Sequence, residues 1–278
     1  NKDDRYFLLN DRDIRTYAAQ LAGRQTVQGR PEDAEASLQK AIALRPTYWE
    51  GHNNLGTFYY RRAKYTEAAA QFRRVIELTP DNASAYINLG VMLNNLKDPA
   101  GAIEAYEKAL SIAPHYAAYS NLAVLYYNQS DFAKSAETYE KALKINDRDY
   151  RPWGGLATAL SAAGDTAKAR PAYEKAIQLA EEALTKNPTD ATLLGYLATY
   201  YAKLGNHAKA LDRIQTALAL APEDPSINYK AALVQQAAGH RPSAARSLQN
   251  ALKHGYPRAT LNSDPEARAI LANLKPIP

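Results

Sequence analysis

Five histidines, His52, His115, His207, His240 and His254, are the side chains best suited to acid–base or metal chemistry, and no pair of them has ligand spacing on one helix face. They are scattered along the chain, mostly near turn residues. Cysteine is absent, which removes disulfides, thiolate metal sites and a cysteine nucleophile. Ser37-Leu38-Gln39-Lys40 fits the serine-x-x-lysine string of some acyl enzymes, but the motifs that accompany it there are missing. Neither a phosphate loop nor a glycine-rich dinucleotide fingerprint occurs, so the chain reads as a non-enzyme with no cofactor and no metal. Asn82-Ala83-Ser84 and Asn128-Gln129-Ser130 match the glycosylation sequon, which matters only on a eukaryotic secretory route that nothing else suggests.

Binding chemistry is better represented. Asn54, Asn88 and Asn121 each stand just before a Leu-Gly or Leu-Ala pair, and the same place is taken further on by Gly155, Tyr196 and Lys230. A side-chain amide donates and accepts together, so a row of them matches main-chain N–H and C=O groups without reading sequence. Six residues beyond, on the same face at helical spacing, come Tyr60, Asn94 and Tyr127, the tyrosines able to stack on a bound segment. Three amides at about 0.5–1.5 kcal/mol per hydrogen bond give a few kcal/mol, whereas a micromolar complex needs roughly 8, so apolar contacts must supply the rest. A second candidate is the basic end: Lys230, Arg241, Arg246, Lys253 and Arg258 lie in a stretch, residues 225–278, with seven basic and two acidic residues. That excess serves either as a solvated helix face or as a patch for an anionic partner.

The elements that must position these residues repeat. In Trp49–Pro80, Leu55-Gly56 is followed by Tyr59, Ala68, Phe72 and Pro80; 34 residues on, Leu89, Gly90, Ala102, Tyr106 and Pro114 recur at the same places. A fixed period of this length means stacked units that bury their apolar faces only against each other. Seven units fit, at 15–48, 49–82, 83–114, 115–149, 150–190, 191–224 and 225–258, after an N-terminal segment or linker at 1–14 and before a capping helix and tail at 259–278. Tyr59, Tyr106, Tyr126 and Tyr139 should fill the space between helices, and the short side chains at Gly56, Gly90, Ala68 and Ala102 should let paired helices approach. Leu156 to Leu197 is 41 residues, and the seven added ones, Ala180–Lys186, lengthen a helix by about 10 Å into a projecting edge. Asp98-Pro99 predicts a helix start. Pro171 predicts a kink or a late start, and Ser263-Asp264-Pro265-Glu266 a capping-box start for the closing helix.

The L-G…Y…A…F…P pattern resembles the tetratricopeptide repeat family over nearly the whole chain. The resemblance implies an all-α, right-handed α-solenoid of seven helix-turn-helix units that binds another protein or peptide. It also implies that the asparagine position lines a concave groove, similar to the asparagine ladder in the repeat arm of protein glycosyltransferases. The positions that carry cations in chaperone-binding relatives are Asn53, Ile87, Ser120 and Gly154 here, which argues against a chaperone-tail clamp. The long fifth unit and the closing Gly255-Tyr256-Pro257 and Ser263–Arg268 segments resemble repeat regions of bacterial serine/threonine kinases and membrane-anchored transcriptional regulators. On that resemblance the chain is the docking or sensing part of a signalling protein.

The net charge of +5 is too weak to point to nucleic acid, and no stretch has the length of uninterrupted apolar residues that a membrane span requires. The expected partner is therefore another protein or peptide segment, with no nucleic acid and no direct membrane insertion. The chain is expected to be soluble, either cytoplasmic or the extracytoplasmic part of a larger membrane-anchored protein. Self-association and a recruiting arm for an enzyme on another chain segment stand as alternatives.

Overall fold

The structure is a computed structural model, and it describes residues 23, 25 and 27–272. Fifteen helices and no strand occur among the described residues. By its contacts the chain divides between Asp131 and Phe132, inside the fourth repeat, into two compact units. The first holds α1 (Pro31–Leu44), α2 (Trp49–Arg61), α3 (Tyr65–Leu78), α4 (Ala83–Asn95), α5 (Pro99–Ile112) and α6 (Tyr116–Asn128). The second holds α7 (Phe132–Ile145), α8 (Tyr150–Ala162), α9 (Thr166–Lys186), α10 (Ala191–Lys203), α11 (His207–Leu220), α12 (Pro225–Ala237), α13 (Arg241–Lys253), α14 (Arg258–Ser263) and α15 (Pro265–Leu271). Residues 1–14 and Leu21-Ala22, the start of the first predicted repeat, lie outside the described residues.

The second, third, fifth, sixth and seventh repeats each pair two antiparallel helices through a turn whose hinge has a left-handed backbone. That hinge is Gly164 (φ 87°) in the fifth repeat, but Ala63 (φ 55°) holds the same place in the second, where the missing glycine costs backbone strain. Close pairing depends on the short residues identified from sequence. A Cβ on Gly56 would lie 3.0 Å from the Phe72 ring and one on Gly90 2.8 Å from Tyr106, while Ala68 and Ala102 are fully buried. Tyr59, Tyr106, Tyr126 and Tyr139 are all buried, as expected of inter-helix filler. The first unit has one apolar cluster running from Leu38 through Leu55, Phe72, Met92 and Tyr106 to Leu122. In the second, Leu193, Leu197, Ile214, Ile227 and Val234 form one cluster, and Ala232, Leu248, Leu261 and Ile270 form another that closes the last repeat.

Helix starts follow the caps. Asp98 accepts from the Gly101 amide at 2.9 Å with Pro99 in the first turn, as its sequence predicts. Three expectations are corrected. Helix α9 begins at Thr166, capped by Asp165, and runs on through Pro171, so of the two outcomes expected there the late start does not occur; Ala167, whose carbonyl loses its donor to the proline, is exposed. The added turns of α9 do not project: Ala180 is fully buried, and Ala183 and Leu184 pack against the Leu193–Leu197 cluster. The closing segment is two short helices, and the cap of the second is Asp264, which accepts from Glu266 and Ala267 amides, while Ser263 ends α14.

Candidate functional site

The first helices of the second, third and fourth repeats, α2, α4 and α6, share one burial pattern. Leu55, Gly56, Phe58 and Tyr59 turn inward, and the residues at 54, 57 and 60 form a stripe left partly open. The stripe continues as Asn88, Val91 and Asn94 on α4 and as Asn121, Val124 and Tyr127 on α6, and α4 and α6 touch directly. All six predicted groove residues thus lie in the first unit on one face of successive first helices. Tyr60 and Val124 are each 44% exposed, while the three asparagines are half-buried. Val91 and Val124, three residues past the asparagines, were missed in the sequence; the helical spacing alone would have found them.

The three amides are not equivalent. Asn54 and Asn88 make no side-chain hydrogen bond to another described residue, so their amides are open to a ligand. Asn121 is hydrogen-bonded to the Tyr106 hydroxyl, whose pKa burial pushes up to about 12 against the lowering effect of that bond. Next to the row, the Ser120 hydroxyl oxygen is buried without a partner among the described residues. Such an atom costs free energy until a partner meets it.

The row stops at the fifth repeat for a steric reason. A Cβ on Gly155 would stand 2.3 Å from the Tyr139 ring, and one on Gly154 would stand 2.1 Å from the Tyr200 hydroxyl. Tyrosine rings therefore occupy the space where an asparagine side chain would start. From there the second unit has a tyrosine cluster: Tyr150–Tyr196 ring centroids are 5.9 Å apart, Tyr196–Tyr200 6.1 Å and Tyr173–Tyr200 6.0 Å. Burial raises the pKa values of Tyr150, Tyr173 and Tyr200.

The basic residues differ in setting. Lys230 is half-buried on α12 with its ammonium 4.7 Å above the Tyr196 ring, whereas Arg241, Arg246, Lys253 and Arg258 are exposed on α13 and α14. Arg241 and Lys253 stand at opposite ends of α13, about 18 Å apart along its axis at 1.5 Å per residue.

Two recurring polar contacts hold the first helices in place. The pattern tyrosines Tyr59, Tyr126 and Tyr201 donate to Glu35, Glu107 and Glu181 on a preceding second helix, at 2.7, 2.6 and 2.8 Å. The bond from Tyr59, with Lys64 at 3.3 Å, holds the Glu35 carboxyl below its usual range. Residue types as different as His52, Trp153 and Asn228 stand at one repeat position, and each meets the carbonyl six residues earlier, that of Pro46, Asp147 or Pro222, at 3.1, 2.8 and 2.8 Å. Asn228 is fully buried and also donates to Asp224 O at 2.9 Å. Replacing it with alanine removes two bonds and should cost about 2 kcal/mol, read as a lowered urea midpoint.

Among the described residues no group of three or more His, Cys, Asp or Glu side chains is placed to hold a metal ion, and no helix is long and apolar enough to cross a membrane. Paired helices at this period, with small residues at the crossings and a tyrosine-glutamate tie between neighbours, define a tetratricopeptide-repeat protein. The family model described as the Cilia and flagella-associated protein 70 C-terminal domain matches residues 12–270, and the chain belongs to that family. It is 36% identical over 86 residues to the Hsp70-Hsp90 organizing protein of Triticum aestivum, covering 31% of this chain and 15% of that protein. To the type IV pilus assembly protein PilF of Pseudomonas aeruginosa it is 32% identical over 87 residues, 30% of this chain and 33% of that one. The matched stretch is therefore a third or less of either relative. A tetratricopeptide repeat protein from Parabacteroides merdae has the same fold with a TM-score of 0.67 at 19% identity, covering 94% of this chain and all of that one. The pilus biogenesis factor PilW follows with a TM-score of 0.62 at 21% identity, covering 79% and 98%.

Proposed function

We propose that the chain is a non-catalytic scaffold whose first unit takes a segment of another protein along the stripe of Asn54, Asn88 and Asn121. Proteins of this repeat class generally mediate protein–protein interaction, and the relatives include proteins whose names describe organizing and assembling others. The observation that carries the reading is the pair of open amides, Asn54 and Asn88, in line with Asn121 and flanked by Val124 and Tyr60. Amides hold a main chain, and the exposed valine and tyrosine supply the apolar contact that three hydrogen bonds lack. An extended segment suits this chemistry because its N–H and C=O groups are unpaired.

The test is a peptide selected against the protein from a random library, with its Kd measured by fluorescence anisotropy. Replacing Asn54, Asn88 and Asn121 together with alanine should weaken binding about 10- to 1,000-fold, from three bonds at about 0.5–1.5 kcal/mol each. An unchanged Kd with an unchanged helical circular dichroism signal rejects the row as the site.

A further inference from the structure

Past the seventh repeat the chain turns back on itself. It bends at Gly255 (φ 94°), and Tyr256 stacks on the Tyr229 ring of α12 at a centroid distance of 4.5 Å. Helix α15 then packs on α12 and α13, where Ala267 and Ile270 are buried together with Leu261 of α14. Tyr229 and the half-buried Leu233 pack against the same apolar cluster. Leu233 stands three residues past the asparagine position of its helix, the place that Val91 and Val124 hold in the first unit, where Val124 is 44% exposed. Two carboxylates tie the closing segment down. Asp264 accepts from the Tyr229 hydroxyl, and Glu266 pairs with the Lys203 ammonium on α10, one repeat earlier. Burial raises the Tyr229 pKa and the Asp264 carboxylate raises it further, because ionising the phenol would set two negative charges side by side.

We propose that α14 and α15 form an autoinhibitory latch: an internal ligand seated on the stripe of the seventh repeat, which on opening yields that stripe to a partner segment of the same chemistry, two carboxylates leading into a short apolar helix. The segment is built to open before the rest of the second unit. Its helices have six and seven residues, too short to persist undocked, whereas a first helix such as α12 has 13. The Lys203–Glu266 pair is 37% and 52% exposed, so it holds weakly and yields to salt. Opening breaks no helix pair within a repeat, which makes it a local event. The proposal rests on the reading of the stripe as a partner surface, although no residue of the asparagine row takes part.

Hydrogen exchange of the unaltered full chain is the first test. The amides of α15 should exchange together and about tenfold or more ahead of those of α12 and α13; exchange in step with α12 and α13 would mark a fixed cap and overturn the latch. The second test uses a fluorescein-labelled peptide of residues 258–272 as probe and a full chain carrying Asp264→Asn and Glu266→Gln, in which asparagine still caps α15. Apparent affinity scales with the open fraction, so the variant should bind the probe about tenfold more tightly than the unaltered chain does. A probe with Asn and Gln at its two acidic places should bind the variant about tenfold more weakly. Equal affinity of the two chains, equal affinity of the two probes, or no binding by the variant would each overturn the proposal. The exchange measurement needs no substitution, so a folding defect in the variant leaves it decisive. Alanine in place of Asn54, Asn88 and Asn121 should change neither measurement, which separates failure of the row from failure of the latch.

Discussion

Raising the pH above 10 is expected to unfold the protein, with the helical signal lost between about pH 10 and pH 12. Tyr106, Tyr150, Tyr201 and Tyr256 have pKa values pushed up to about 12, in each case chiefly by burial, and Tyr173, Tyr200 and Tyr229 are shifted in the same direction. A raised pKa in the folded state means that the stabilisation is complete below the ordinary tyrosine value near 10 and is lost as the pH climbs through the folded value. Burial holds the Tyr106 hydroxyl, 1% exposed, at about 12 where an exposed tyrosine stands at 10.0, a difference worth about 2.7 kcal/mol. The half-exposed Tyr150 and Tyr256 contribute less, because solvent screens them. Summed over the buried tyrosines the loss reaches several kcal/mol, comparable with the whole stability of a typical domain. Phenolate absorbance and far-UV circular dichroism followed together check this. Coincident transitions above pH 10 are expected; tyrosines that ionise near 10 while the helices persist would show that burial does not hold them neutral.

Much of the fold was open to reading because a repeat states itself several times. Leu55-Gly56, Leu89-Gly90 and Leu122-Ala123 set the register of three first helices, and with the register come the faces, so Asn54, Asn88 and Asn121 could be placed on one side from spacing alone. Spacing does not say which side chain reaches across to another helix. The bond between Asn121 and Tyr106 joins two repeats, and Lys230 leaves its basic neighbours for Tyr196 because the glycine at 195 clears its path. The same limit explains the errors at α9 and at the end of the chain. Seven added helix formers were legible, but their burial depended on Ala183 and Leu184 finding the Leu193–Leu197 cluster. Ser263 and Asp264 are both good caps, and the choice of Asp264 followed from where α14 ends.

Gly154 and Gly155 read as ordinary small residues of the repeat, yet they are the most tightly enclosed of the described glycines. Alanine normally gains about 0.8–1 kcal/mol over glycine inside a helix, so a double Gly154→Ala, Gly155→Ala variant of α8 would be stabilised if space allowed. Here the new Cβ atoms would fall 2.1 Å from the Tyr200 hydroxyl and 2.3 Å from the Tyr139 ring, well inside any van der Waals contact. Neither ring can retreat cheaply. Tyr200 is 5% exposed and packed between Tyr173 and Tyr196, and Tyr139 is 8% exposed. Overpacking of this kind costs about 1–3 kcal/mol per site, and contacts this short belong at the upper end, so the propensity gain is outweighed about threefold. The expected net loss is about 2 kcal/mol per position and about 4 for the pair, seen as a lowered urea midpoint. Gly51→Ala on α2 is the control, because its Cβ would meet only Ile42 Cγ1, at 3.1 Å, and should change stability by less than about 0.5 kcal/mol. A double variant as stable as the unaltered protein would mean that Tyr139 and Tyr200 have room to move, and that the asparagine row stops at the fifth repeat for some reason other than those two rings.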